Sequence, residues 1–245
     1  MNPASFSVII PAFRAAATLP RALASVRESL AFARARGLVA GCEAVVADDA
    51  SPDELAAVAL AEDSLDLPVR LVRHATNQGA GMARNSAIAA AAHDLLCFLD
   101  ADDYYLPEHL AVCAKAFATR PGIDYAATCF QTSRPVDPSW IPVISGSSVL
   151  PVCIRRAAHD RLGGFPSIPC FEDVFYRRLA DRVLSGWRLA NPTVVYVWRP
   201  GNSFDAQLEK FQRPVQDYQA GAEDLPDPRV TEAFRRRLAA IAQAQ

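Results

Sequence analysis

The sequence predicts an α/β protein built on a mostly parallel sheet and closed by a helical tail. Three observations carry this reading. The first half of the chain alternates short β-branched runs with alanine-rich helical stretches, the pattern of successive βαβ units. Each of its four strand-like runs gives way to polar or glycine-containing residues instead of a minimal turn. With 245 residues and 51% hydrophobic content, the chain can bury one sizeable core, so one domain plus a tail is expected.

Taken in order, residues 6–10 form the first strand, stopped by Pro11. A helix follows from about Thr18 to Arg36, with Thr18 as its cap and Gly37 as its end. Residues 43–47 make the second strand, which runs into Asp48-Asp49-Ala50-Ser51, and Pro52 suits the first turn of the next helix. The third strand covers residues 69–73, and a helix spans about 81–92. Residues 95–99 form the fourth strand and end in an acidic cluster. Parallel strands share one carboxyl edge, so the four loops that follow them are predicted to form one site.

Beyond Pro107 the pattern changes. A helix to about Thr119 precedes a strand over 124–131 and a Pro-rich connection over 134–142. The polar run Ser145-Gly146-Ser147-Ser148 leads into an apolar strand over 149–154, and a short helix over 156–162 is closed by Gly163-Gly164. Residues 165–171 read as a loop, 172–185 as a helix and 193–198 as a strand. The tail carries two helical patterns, over 205–218 and 228–242, separated by the acidic, Pro-containing stretch 223–228.

Composition excludes several classes. A net charge of −2 gives no field for broad nucleic-acid binding. The first six residues lack a basic region and a long apolar run, so no signal peptide is expected, and no stretch of about eighteen apolar residues predicts a spanning helix. Cys42, Cys97, Cys113, Cys129, Cys153 and Cys170 are scattered, with no C-x-x-C pair and no histidine at zinc-ligand spacing. They read as small buried hydrophobes in a reducing cytoplasm.

The most informative motif is Phe98-Leu99-Asp100-Ala101-Asp102-Asp103. Carboxylates clustered at a strand end repel one another unless a cation lies between them, and a hard ion such as Mg²⁺ or Mn²⁺ suits oxygen donors. A solvated acidic turn with Asp102 or Asp103 capping the following helix is the alternative. Asp48 and Asp49 can accept hydrogen bonds from a nucleobase edge or a ribose, or cap the next helix. The turn from Asn77 to Arg84 starts a helix and sets an arginine on its opening turns, an arrangement that attracts phosphate. Arg84 stands where a dinucleotide fingerprint needs its third glycine, which argues against a dehydrogenase. Glu172-Asp173 opens a helix, as a general base or as ordinary acids at a helix N-terminus. His74, His93, His109 and His159 have no partner at useful spacing and read as structural or exposed.

Together these pieces resemble family 2 glycosyltransferases of the GT-A fold over roughly residues 5–203. The matching residues are Ser7 to Phe13, Val45 to Ser51, Asn77-Gln78-Gly79 with Ala83-Arg84-Asn85, Phe98 to Asp103, Arg155-Arg156, Gly163-Gly164-Phe165 and Glu172-Asp173. The resemblance implies a Rossmann-like sheet with helices on both faces, a nucleotide-binding half over about 1–105, an acceptor half over about 106–203 and a tail over 204–245. It implies a metal-dependent, inverting glycosyltransferase of hexosyltransferase type, acting in cell-surface polysaccharide or glycoconjugate synthesis. Pro11, Ala12, Phe13, Asp48, Asp49, Asn77, Gly79, Arg84, Asp100 and Ala101 would hold the nucleotide sugar, and Asp102 the Mg²⁺ or Mn²⁺. Asp173 would be the catalytic base, supported by Glu172. Relatives often carry glycine where Ala50 and Ala87 stand, and a histidine beside the diphosphate where this chain has Arg199, the substitute phosphate contact.

The expected partners are a nucleoside-diphosphate sugar and a hydroxyl acceptor, with no nucleic acid. The expected location is the cytoplasm, at the inner face of the membrane. The tail is open to three roles: packing on the core, a homodimer contact or a peripheral membrane contact. A sugar-phosphate nucleotidyltransferase is the nearest rival, but such enzymes carry a Gly-rich, basic loop after the first strand, and Pro11-Ala12-Phe13-Arg14-Ala15 is not one. A catalytically silent nucleotide-binding protein of the same fold is the third reading.

Overall fold

Why the first four strands pair as they do follows from their apolar faces. A computed structural model describes residues 2–135, 146, 148–168, 171–199 and 228–244. Strand β1 (Ala4–Ala12) runs parallel to β2 (Val39–Asp48) and to β4 (Leu95–Phe98), and β2 runs parallel to β3 (Val69–Arg73). Nearly every residue of β1, β2 and β4 is buried, because helices cover both faces of a parallel sheet. On one face Val8 and Ile10 pack with Leu23 and Val26 of α1 (Leu19–Arg34) and Leu55 of α2 (Leu55–Ala61). On the other, Ile9, Val45 and Phe98 pack with Ala83 and Ala87 of α3 (Ala80–Ala90).

The second half of the chain extends the same sheet with mixed strand directions. After the two-residue β5 (Tyr104–Tyr105) and α4 (His109–Thr119) come β6 (Tyr125–Thr132), β7 (Val152–Arg155), α5 (Arg156–Leu162), α6 (Glu172–Val183) and β8 (Gly186–Tyr196). The eight strands lie in the order β3-β2-β1-β4-β7-β6-β8-β5. Strand β7 is antiparallel to both β4 and β6, and β5 is antiparallel to β8, so the parallel register is broken at the β4–β7 seam.

Several expected boundaries shift. Thr18 precedes α1 but makes no side-chain cap bond; its hydroxyl donates back to the Ala15 carbonyl at 3.3 Å. The helix stops at Arg34 with Ala35 as its C-cap, short of the expected Arg36, and Gly37 lies in the turn beyond it in the left-handed conformation at φ 67°. Pro52 lies ahead of α2, outside its first turn. The predicted strand over 193–198 is the end of the much longer β8, whose first part alternates exposed and half-buried residues. Pro192 opposes Cys129 where the β6–β8 register slips, the irregular kind of position to which a strand proline is confined.

In the tail, the expected helix over 228–242 is present as α7 (Pro228–Ala244), packed on α6 through an edge-to-face contact of Phe234 with Phe175. The helix expected over 205–218, the acidic stretch before Pro228 and most of the Pro-rich connection lie outside the described residues. Among the described residues, no helix is long and apolar enough to cross a membrane.

Candidate active site

The carboxyl edge of the parallel strands opens into a cavity of about 540 Å³, the size of a pocket that takes a small organic ligand. All four predicted loops reach it: Pro11 to Ala15 after β1, Asp49 after β2, Asn77 and Gly79 after β3, and Asp100 to Asp102 after β4. Glu172 and Asp173 enter from the start of α6, and Ser148, Leu150, Tyr196 and Arg199 close the far side. Residues spread from Pro11 to Arg199 therefore share one hollow. Phe13 leaves part of its ring exposed there, with the Arg14 guanidinium 5.2 Å from its centroid.

Asp48 is the one predicted site residue that the structure places elsewhere. Its side chain is fully buried off the cavity, accepting the Ser51 amide at 2.8 Å and facing Arg73 at 3.3 Å. Successive strand residues point to opposite faces, so only one of the pair can serve the pocket. That one is Asp49. Its carboxylate accepts the backbone amides of Gln78 at 2.8 Å and Gly79 at 2.7 Å, and it meets His74 Nδ1 at 2.7 Å. Asn77 donates to the Asp49 carbonyl at 3.2 Å. Asp49 thus fixes the loop between β3 and α3, with His74 held on its other ring nitrogen by Ser86 at 2.8 Å. His74 is structural, as expected, but it orients a site residue, which spacing in the sequence did not reveal. Ala50 sits at φ 62°, so the position where relatives often have glycine is a left-handed one, and alanine there carries a steric cost of about 1–2 kcal/mol.

Arg84 lines the cavity, but its guanidinium is already engaged. Nη1 donates to Glu172 at 2.9 Å and Nη2 to Asp100 at 2.8 Å, with the arginine side chain only 4% exposed. The bidentate phosphate contact expected of it is therefore taken by two of the protein's own carboxylates. Burial alone would lower the Arg84 pKa, but Asp100 and Glu172 outweigh that and hold the group charged. The clamp depends on a close approach of α3 to α6: a Cβ on Gly81 would lie 3.0 Å from Glu172 Cγ and 3.1 Å from the Pro166 carbonyl. Next along α3, Asn85 accepts the Phe165 amide at 2.9 Å and donates to the Phe165 carbonyl at 3.0 Å. These contacts join the Ala83-Arg84-Asn85 and Gly163-Gly164-Phe165 motifs.

The acidic cluster separates into three roles. Asp100 pairs with Arg84. Asp103 is buried and accepts the Val197 amide at 2.7 Å, tying the cluster to the end of β8; it shapes the turn. Asp102 is the least buried of the three, its side chain 46% accessible, and it faces Arg199 at 3.2 Å. The Asp102 carbonyl accepts Arg21 at 2.6 Å. Burial and the neighbouring Asp100 raise the Asp102 pKa, partly offset by Arg199. None of these acids caps α4, whose N-cap position is Glu108. Arg199 thus meets Asp102 itself.

Asp173 is half-buried at the α6 start, accepting the amide of Val174 at 2.7 Å. Removal from water and the adjacent Glu172 raise its pKa to about 7, against the opposing field of Arg84. Phe171, just before α6, is a bulky buried residue at φ 64°. Strained backbone of that kind clusters at functional sites.

Comparison with known proteins identifies the family and the fold. The family model Glycosyl transferase family 2 matches residues 7–170. An uncharacterized glycosyltransferase of Haemophilus influenzae is 25% identical over 181 residues, covering 70% of this chain and 54% of the relative. The succinoglycan biosynthesis protein ExoU of Rhizobium meliloti is 41% identical over 108 residues, covering 44% of this chain and 29% of ExoU. The chain thus spans about half or less of the length of these relatives. Among solved structures, S. aureus TarS in complex with UDP-GlcNAc superposes with a TM-score of 0.68 at 20% identity, over 97% of this chain and 71% of that one. The mannosyltransferase PcManGT from Pyrobaculum calidifontis, in complex with GDP-Man and Mn²⁺, gives 0.70 at 20% identity, over 100% and 76%. At such identities the likeness is one of fold, and that fold is GT-A.

Proposed function

The chain belongs to glycosyl transferase family 2, and from that premise we propose that it moves a sugar from a nucleoside-diphosphate sugar to an acceptor hydroxyl with inversion of configuration, using a divalent metal. The observation that carries this reading is the pairing, in one cavity, of a half-exposed carboxylate at Asp102 with a carboxylate at Asp173 whose pKa is about 7. Asp102 fits the metal: Mg²⁺ and Mn²⁺ bound with substrate phosphates need only one or two carboxylates from the protein. That the solved neighbour PcManGT is in complex with GDP-Man and Mn²⁺ supports the use of a divalent metal. When bound, the metal would neutralise charge that builds on the departing diphosphate.

The residues of the chain supply the rest. Asp173 accepts the proton of the acceptor hydroxyl; the freed oxygen attacks the anomeric carbon from the face opposite the diphosphate, and the bond to the diphosphate breaks. A carboxylate with pKa near working pH is suited to this task. Arg84 is a positioning residue: by engaging Asp100 and Glu172 it leaves Asp173 as the basic carboxylate of the group. Pro11, Phe13, Asp49, Asn77 and Gly79 line the end of the cavity taken by the nucleoside. Arg199, facing Asp102 at 3.2 Å, is the substitute contact for the diphosphate. The similarity to the succinoglycan biosynthesis protein ExoU supports testing polysaccharide synthesis first.

A donor panel tests the proposal. With Mn²⁺ and acceptor glycans or lipid-linked saccharides, UDP-, GDP-, dTDP- or CMP-sugars are incubated with the protein. Release of the nucleotide from one class is expected, abolished by chelation, with the new linkage opposite in anomeric configuration to the donor. Pyrophosphate release from a sugar phosphate and a nucleoside triphosphate, with no transfer from any sugar nucleotide, would instead assign a nucleotidyltransferase.

A further inference from the structure

We propose that Cys97, Cys113 and Cys153 form a second metal site, one that takes a single soft, thiophilic divalent cation such as Zn²⁺. Far from one another in sequence, they converge in the fold. Cys97 on β4 and Cys153 on β7 are direct register partners across the antiparallel seam, and Cys113 reaches them from α4. All three are fully buried, and their sulfurs lie within 4.8 Å of one another. Three thiolates at about 2.3 Å from a common ion stand about 4 Å apart, so a movement of less than about 1 Å completes the geometry.

A nearby imidazole is turned toward one of the three sulfurs. His109, one turn before Cys113, places Nε2 3.8 Å from Cys113 Sγ. Its Nδ1 lies 2.7 Å from Thr193 Oγ1, which donates onward to Thr128 Oγ1 at 2.8 Å, and Thr128 donates to the Pro151 carbonyl at 3.4 Å. Because Thr193 spends its own proton on Thr128, it accepts from His109. Nδ1 therefore carries the hydrogen and Nε2 turns a lone pair toward the sulfur. An imidazole whose far nitrogen is fixed by a hydrogen bond is the arrangement metal sites use to orient a ligand. Tyr105 stacks on the ring at 3.9 Å between centroids and holds it in place. Packing alone explains buried cysteines; it does not require three sulfurs from three separate elements to converge, with an imidazole nitrogen turned toward one of them. Soft thiolates select zinc-like ions over the hard cation suited to Asp102.

Binding breaks three S–H bonds, releases three protons to solvent and forms three metal–sulfur bonds, with no change of oxidation state. The ion would staple β4, β7 and α4 at the seam between the parallel and mixed halves of the sheet, behind the strand that leads to Asp100.

Cobalt distinguishes this site from the carboxylate one, because only thiolate coordination produces a sulfur-to-Co²⁺ charge-transfer absorption. The reduced full-length chain is titrated with Co²⁺ without oxygen, both as purified and after unfolding and refolding in the presence of the ion. The expected result is a charge-transfer band that saturates at one equivalent, disappears when Zn²⁺ displaces Co²⁺, persists in Asp102→Asn and is lost in a folded Cys113→Ala variant. The wild-type titration stands whether or not that variant folds. No such band in either preparation, or an undiminished band in folded Cys113→Ala, would overturn the proposal.

Discussion

Asp173→Asn is expected to lower the turnover of sugar transfer by a factor on the order of 10²–10⁴, the usual contribution of a positioned base, with little change in donor KM. The amide keeps the size of the side chain and removes its basicity, so steady-state release of the nucleotide reads the chemistry directly. The wild-type rate should rise with pH through about 7, because burial and Glu172 hold the carboxyl protonated below that value and a protonated acid accepts no proton. Stability has the opposite sign. The ordinary carboxyl ionises near 3.8, whereas in the folded chain Asp173 keeps its proton to about 7. Between those values the native state binds more protons than the unfolded one, and the stabilisation present below about 4 is lost as pH rises through about 7. Thermal unfolding from pH 4 to 8 should therefore fall less steeply in Asp173→Asn than in the wild type. A variant that keeps wild-type turnover would remove Asp173 from the chemistry.

Arg84→Met is expected to cost roughly 3–5 kcal/mol, the range for breaking a buried ion pair by removing one partner. The methionine fills much of the space, but Asp100 and Glu172 lose the cation that joins them. At about 2–4 °C per kcal/mol for a chain of this size, the melting temperature should fall by roughly 6–20 °C. Arg84→Lys should fall between the two, since an ammonium keeps the charge but lacks the planar fork that reaches both carboxylates. A second readout separates positioning from mere stability: the field of Arg84 lowers the Asp173 pKa, so the pH midpoint of the rate should move upward in Arg84→Met. A loss below about 1 kcal/mol would mean that the pair behaves like a solvent-exposed one.

How far the sequence could be read depended on whether the signal was local. Strands β1, β2 and β4 were legible because burial on both faces leaves unbroken apolar runs such as Val8 to Ile10. Strand β8 was found only at its apolar end, because Trp187 to Asn191 alternate with polar residues against a partly solvated surface. The pair Tyr104-Tyr105 is too short for any periodicity; its strand character comes from pairing with Val194 and Val195. At the site, the acidic cluster and Glu172-Asp173 announced themselves through clustered carboxylates at element ends. The choice between Asp48 and Asp49 did not, since it turns on which face of the strand end each side chain takes. Arg84 looked like a phosphate ligand because its two carboxylate partners, Asp100 and Glu172, lie on other elements. The three converging cysteines were hidden for the same reason: β4, α4 and β7 bring them together only in the folded chain.

A nucleoside diphosphate held in this cavity through a divalent metal on Asp102 would stabilise the folded chain, and that binding can be read as a shift in unfolding temperature. Thermal unfolding with UDP, GDP, dTDP and CMP nucleotides, each with and without Mn²⁺, tests it most directly. A ligand at 100 times its Kd stabilises the folded state by about 2.7 kcal/mol, which is a shift of roughly 5–11 °C here. Such a shift is expected for one nucleotide class, dependent on Mn²⁺ and absent in Asp102→Ala. No shift with any of the nucleotides, or an equal shift in Asp102→Ala, would contradict it.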